Sequence, residues 1–253
     1  MAGPDLPSFH GIIGRSAAMQ SLFRKIELVA PADVPVLIQG ESGTGKELVA
    51  RVVQRLSARN ERAFEPINCA DLSRDLLRSE LFGHERGAFS GAIAWKAGIV
   101  TVANGGTVFL DEVGELAPDA QAMLLRFLEM GEGRPVGSTR TIRADVRLIA
   151  ATHRGLDRGE GTGTLRLDLY YRLRRVLLEL PPLRERPEDI PLLVEHYRRV
   201  INARHQRLGM AVEGVRPRAM ATLQAYDWPG NVRELAAVLG ATGRGVRSGG
   251  LGA

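Results

Sequence analysis

Residues 34–56 read VPVLIQGESGTGKELVARVVQRL, and three patterns follow one another within them. VPVLIQG (34–40) is short, β-branched and apolar on consecutive positions, which predicts a strand buried on both faces. Across 47–56 the apolar residues recur three and four apart, which predicts a helix. Gly40, Glu41, Ser42, Gly43, Thr44, Gly45 and Lys46 join the two. Glycines at such a junction let backbone N–H groups turn toward a phosphate, and the helix N-terminus adds a favourable dipole. The Lys46 ammonium can then reach β- and γ-oxygens. A bare glycine-rich turn is the alternative; the strand before it and the helix after it favour a nucleotide-phosphate loop. Glu47 takes the position where Ser or Thr usually holds magnesium, so a magnesium ion must rely on other ligands.

Outward from this stretch, FEPINC (64–69), GTVFLDE (106–112), VRLIAAT (146–152) and VLLELPPL (176–183) repeat the strand texture. Helical spacing covers 72–82 and 119–128. Strands alternating with helices predict an α/β fold, a mostly parallel sheet with crossovers on both faces. Ligands bind such sheets at the carboxyl ends of the strands, and one strand ends in Asp111 and Glu112. Asp111 suits coordination of magnesium, directly or through a water, and Glu112 suits polarising a water that attacks a γ-phosphate. By itself an Asp-Glu strand end is more often a solvated turn; the loop at 40–46 shifts the balance. Positive charge must also meet a developing γ-phosphate, and Arg166, Arg172 and Arg233 lie on separate predicted elements. Spacing does not choose among them.

Beyond Pro187 the pattern is helical throughout, over 188–205, 217–226 and 232–239, which predicts a small all-helical domain after the proline-rich joint PPLRERPEDI (181–190). Residues 240–253 are glycine-rich and unpatterned and read as a flexible tail. The expected organisation is an extension (1–9), an α/β nucleotide-binding domain (10–184), a helical domain (185–239) and the tail (240–253). With 44% hydrophobic but 5% aromatic residues, the core must be built from Leu, Val, Ile and Ala, and collagen, coiled-coil and disulfide scaffolds are excluded. A lone Cys69 points to a reducing, cytoplasmic compartment. Neither a membrane-length apolar run nor a secretory leader is read in the sequence. The net charge of +5 is read as solvated arginine surface rather than a nucleic-acid footprint. Scattered histidines argue against a metal-dependent hydrolase.

Over roughly residues 10–239 the chain resembles the central AAA+ ATPase domain of bacterial sigma-54-dependent transcription activators, the enhancer-binding proteins. The motifs that carry the resemblance are GESGTGKELVAR (40–51), NCADL (68–72), SELFGHERGAFSGA (79–92), GGTVFLDEVGEL (105–116), LYYRL (169–173), LPPLRERPEDI (180–190) and WPGNVREL (228–235). The resemblance implies a P-loop NTPase with a five-stranded parallel sheet and a helical lid. It also implies ATP and Mg2+ as ligands, a hexameric ring, and sigma-54 with RNA polymerase holoenzyme as partners. ATP hydrolysis would remodel the closed promoter complex. Gly87, Ala88, Phe89, Ser90, Gly91 and Ala92 match the family loop that touches sigma-54. Glycines flanking an exposed Phe and a hydroxyl would make a mobile tip, and an ordinary surface loop is the alternative. Ser90 stands where the family usually has Thr.

Residue by residue, the resemblance makes Lys46 the phosphate-binding lysine, Asp111 the magnesium-linked carboxylate and Glu112 the catalytic one. Asn68 matches the residue that holds the catalytic glutamate in a switch; an Asn capping the following turn is the alternative. Thr152 and His153 fall at the sensor position, where the family typically reads Thr-Asn, and His153 would donate to phosphate or water. Arg166 and Arg172 align with the arginine fingers supplied in trans across the subunit interface, and Arg233 with the lid arginine that senses the γ-phosphate. Ile13 and Gly14 in HGIIG (10–14) match the adenine-pocket segment, with an apolar staple onto the first helix as the alternative. Two departures bear on ring assembly: GIVTVA (98–103) replaces the usual Gly-Arg-Phe-Glu-x-Ala, and Glu160 takes a normally apolar position. No sensory or DNA-binding helix-turn-helix pattern is read in this chain. The rival expectation is therefore a non-catalytic nucleotide-binding module, regulatory or truncated, that co-assembles with a full-length relative.

Overall fold

Five parallel strands centre the computed structural model, which describes residues 6–71, 74–153, 165–205 and 212–242. They are β1 (Val36–Gln39), β2 (Phe64–Asn68), β3 (Thr107–Asp111), β4 (Arg147–Thr152) and β5 (Val176–Glu179). Their order is β5-β1-β4-β3-β2 and every neighbouring pair is parallel. The α/β class and strand count are as expected; each strand is trimmed at one end or both, the last one before the prolines at 181 and 182. Register aligns Asn68 with Asp111 and Gln39 with both Thr152 and Glu179, so the carboxyl ends share one edge of the sheet.

Helices α1 (Ala17–Val29), α2 (Lys46–Arg55), α3 (Arg74–Phe82), α4 (Pro118–Met130) and α5 (Leu167–Leu173) connect and flank the strands. The predicted start of α3 at 72 lies outside the described residues. Helix α1 was absent from the pattern reading, although Met19, Leu22, Phe23 and Ile26 recur at helical spacing and are all buried. Among the described residues no helix is long and apolar enough to cross a membrane.

The chain divides into two compact units. One comprises Lys25–Gln39 and Val49–Glu179 and holds the sheet. Its core joins Leu37, Val108, Leu110, Leu148 and Ala150 of the strands to Leu77 and Leu81 of α3, Leu124 and Phe127 of α4, and Leu169 and Leu173 of α5. Burying each large aliphatic side chain contributes about 1.5–3 kcal/mol, so an aromatic-poor core suffices. Arg147, at the start of β4, is 3% exposed and donates through Nη1 to the Ala30 carbonyl at 2.6 Å and through Nη2 to that of Val29 at 3.3 Å. It thereby satisfies carbonyls at the C-terminal end of α1, although burial depresses its pKa. Arg147→Met leaves those acceptors unmet, and a loss of about 2–3 kcal/mol is expected in the urea unfolding free energy.

The other unit contains Met1–Arg24, Gly40–Leu48 and Leu180–Ala253. It carries α6 (Ile190–His205), α7 (Pro217–Ala225) and α8 (Asn231–Thr242). Ile13, Leu183, Ile190, Leu193, Val194, Trp228, Leu235 and Leu239 form its core. Helix α8 runs to Thr242, past the expected end at 239, because Gly240 lowers helix propensity without stopping the helix. The tail reading is corrected accordingly; 243–253 lie outside the described residues. His10 and Gly11, with φ of 49° and 93°, make the turn between the short antiparallel strands Ser8–Phe9 and Ile12–Ile13. A buried Asp189 carboxylate accepts from the backbone N–H groups of Arg15 and Ser16 at 2.6 and 2.9 Å, fixing the chain just before α1.

Candidate nucleotide site

After β1 the chain turns at Gly40 and enters α2 at Lys46. Gly43 and Gly45 have φ of 77° and 107°, in the left-handed region where a side chain is strained. A Cβ on Gly43 would lie 2.2 Å from the Gly230 carbonyl oxygen, and one on Gly40 would lie 2.9 Å from that of Leu180. The Lys46 side chain is buried and folds over the loop, its Nζ donating to the carbonyls of Gly40 at 3.0 Å and Glu41 at 3.4 Å. The Thr44 hydroxyl donates to the Glu41 carbonyl at 2.7 Å. Left-handed backbone at Gly43 and Gly45, a helix N-terminus and an ammonium together form a donor set suited to phosphate. Glu47 is exposed in the first turn of α2, where an acidic side chain favours the helix dipole.

Arg184, Arg186 and Asn231, which the pattern reading did not single out, join Arg233 in clasping this loop within the same unit. Arg184 donates to both Glu41 carboxylate oxygens at 2.9 and 2.7 Å and holds that carboxyl below the usual carboxylate range. Asn231 is fully buried; its amide donates to Glu41 Oε2 at 3.1 Å and the Ser42 carbonyl at 3.0 Å, while its Oδ1 accepts from Leu183 N at 2.8 Å. Arg233 donates to Ser42 Oγ at 3.1 Å, and the buried Arg186 donates to the Thr44 carbonyl at 3.3 Å. The signal for them was present in LPPLRERPEDI and WPGNVREL, whose arginines and asparagine cluster beside helix-breaking residues.

On the sheet unit, Asp111 and Glu112 close β3. Glu112 adopts φ 54° and ψ 49°, a left-handed conformation that costs a non-glycine residue about 1–2 kcal/mol and is typical of functional positions. Its backbone N–H donates to Asp111 Oδ1 at 3.0 Å. Its carboxylate Oε2 accepts from the His153 backbone N–H at 3.2 Å and pairs with His153 Nδ1 at 2.5 Å. Thr152, just before it, is buried. Asn68 donates to Asp71 Oδ2 at 2.7 Å and accepts from Ala70 N at 3.0 Å. Its carboxamide thus caps the following turn, and the expected contact with Glu112 is not made. The neighbouring Cys69 thiol is pushed up to about 12 by burial and by Asp111 and Glu112, so it stays protonated and unreactive.

Arg166 and Arg172 sit at opposite ends of α5. Arg166 is exposed, pairs with Asp168 at 2.7 Å and donates its backbone N–H to Gln121 Oε1 at 2.7 Å. Neither arginine contacts Glu112 within the chain.

Residues 87–92 form the tip of a hairpin whose stem strands are Gly83–His84 and Lys96–Ala97. Gly87 N donates to the Ala92 carbonyl at 2.8 Å and Ala92 N to that of Phe89 at 2.9 Å, closing the loop on itself. Phe89 was expected to be exposed. Instead it is half-buried, edge-on to the His84 ring at 5.0 Å, because the stem offers an aromatic platform to the folded-back loop. Ser90 does face solvent. The large apolar side chains exposed on this hairpin are Ile93 at 85% and Trp95 at 62%, both passed over in the sequence reading.

Residues 12–179 match the family model of the sigma-54 interaction domain, and residues 184–242 that of the AAA+ ATPase lid domain. The chain belongs to the sigma-54 interaction domain family. Among its relatives, the transcriptional regulatory protein ZraR of Salmonella typhimurium is 52% identical over 237 residues, covering 92% of this chain and 53% of the relative. The Nif-specific regulatory protein of Herbaspirillum seropedicae is 49% identical, covering 88% of this chain and 41% of the relative. The chain therefore spans about half the length of these relatives. Among solved structures, NtrX from Brucella abortus superposes with a TM-score of 0.85 at 37% identity, covering 94% of this chain and 53% of that one. An NtrX complex with ATP superposes at 0.84 with 36% identity. The glycine-rich loop Gly40–Lys46 and the Asp111–Glu112 strand end fall within the first of these matched ranges.

Proposed function

We propose that this chain is the ATP-hydrolysing core of a sigma-54-dependent transcription activator. The observation that carries the reading is the glycine-rich loop, in which a buried Lys46 ammonium lies over backbone that tolerates no Cβ at Gly43. In this reading Gly40–Lys46 bind the ATP phosphates, Ile13 and Gly14 border the base, and Arg233 and Thr152 report the γ-phosphate. Asp111, a carboxylate at the carboxyl end of β3, offers the oxygen chemistry that Mg2+ takes and would hold it directly or through a water. Mg2+, when bound, neutralises charge on the phosphates. Glu112 takes a proton from a water whose oxygen bonds to the γ-phosphorus as the bond to the β,γ-bridging oxygen breaks, and ADP leaves with that electron pair.

Arg166 and Arg172 act on the nucleotide of a neighbouring subunit, so turnover requires a ring, read as a hexamer. The exposure of Arg166, which pairs with Asp168 and not with Glu112, supports a role in trans. Gly87–Ala92 then relays hydrolysis to sigma-54 and the polymerase closed complex. The setting is cytoplasmic.

Turnover per protomer is expected to rise steeply with protein concentration. Arg166→Ala is expected to lower it by about 10³-fold with ATP binding retained. Flat turnover at the Lys46→Ala level, with ATP still bound, would replace this reading with the non-catalytic module.

A further inference from the structure

We infer that His153 is the positioning residue for the Glu112 carboxylate, acting through its Nδ1–H. The inference deepens the ATPase reading and rests on it for the role of Glu112. Asn68, the residue matched to this task by resemblance, is committed elsewhere: its amide donates to Asp71 and its oxygen accepts from Ala70 N. Glu112 Oε2 receives two donors from residue 153 instead. The backbone N–H is available whatever side chain stands there; the ring nitrogen is specific to histidine.

The backbone of Glu112 is pinned in a left-handed turn between β3 and the short helix Val113–Glu115, and its side chain is 17% exposed. The side-chain torsions of Glu112 are not fixed by its backbone, and the His153 ring restrains the carboxylate at their end. A base held in one orientation loses less entropy when it meets its water.

The pairing also fixes the tautomer of the ring. A carboxylate oxygen accepts, so Nδ1 carries the hydrogen. In a neutral imidazole Nε2 is then an acceptor and cannot donate to a phosphate. That reverses the role expected for His153 at the sensor position. The two roles separate by isostere: an Asn amide nitrogen lies close to where Nδ1 stands, whereas a Gln amide nitrogen reaches toward Nε2.

The test compares wild type with His153→Phe, His153→Asn and His153→Gln, measuring kcat and KM for ATP and the affinity for ATP at equilibrium. Loss of one charge-assisted hydrogen bond predicts a fall in kcat of about tenfold to a hundredfold for His153→Phe, with KM changed by less than about twofold. His153→Asn should recover most of the lost kcat, and His153→Gln should resemble His153→Phe. Recovery by Gln but not Asn, or wild-type kcat in all three variants, overturns the inference. A readout independent of turnover is the tautomer of His153 in 15N-histidine-labelled protein, assigned by the signal lost in His153→Asn. An Nδ1–H ring is expected, and an Nε2–H ring overturns the pairing. Should wild type bind ATP without hydrolysing it, the tautomer still decides the pairing, while the ATPase reading fails separately.

Discussion

Glu112→Gln is expected to lower ATP turnover by roughly 10²–10⁴-fold while leaving ATP affinity within a few-fold of wild type. Gln keeps the length of the side chain and an oxygen able to accept from the His153 backbone N–H and ring, so the local fold should persist. The left-handed backbone at 112 strains Glu and Gln alike. What is lost is the basic oxygen that, in the proposed function, takes the proton from water. Steady-state turnover beside calorimetric titration with ATP separates the two effects. Turnover within about fivefold of wild type would remove Glu112 from the chemistry.

Gly43→Ala is expected to be the most damaging small substitution in the phosphate loop. Its Cβ would fall 2.2 Å from the Gly230 carbonyl oxygen and 3.0 Å from Arg233 Cβ, and φ of 77° adds left-handed strain. The obstructing atom is backbone, so relief requires the turn before α8 to move. ATP affinity should drop by about 100-fold or more, and the melting temperature by several degrees, since about 3 kcal/mol is at stake. Gly45→Ala provides the contrast: its Cβ would meet Leu48 Cδ1 at 4.0 Å and nothing nearer, leaving backbone strain alone. Equal melting temperatures for the two variants would contradict this packing.

The contrast between these sites explains what the sequence disclosed. Strands, the glycine-rich turn between β1 and α2 and the Asp111–Glu112 strand end are local patterns, and each was legible from spacing within a dozen residues. The Asx turn at Asn68, whose Oδ1 accepts from Ala70 N, closes over three residues and stood among the open alternatives. The clasp on Glu41 joins residues 143 and 190 positions apart, and the His153–Glu112 pair spans 41. Such contacts arise from strand order and lid packing, which no periodicity encodes. Phe89 misled the reading because flanking glycines signal freedom, whereas the His84 ring supplies a surface on which to fold back. Gly240 misled it in the opposite sense, marking an end where α8 continues.

The most direct test of the account is formation of heparin-resistant open complexes on a sigma-54 promoter by holoenzyme, with this chain and Mg-ATP supplied. The account predicts open complexes that depend on hydrolysable ATP, rise steeply with protein concentration, and disappear with Lys46→Ala. Vigorous ATP turnover with no open complex at any concentration would contradict it.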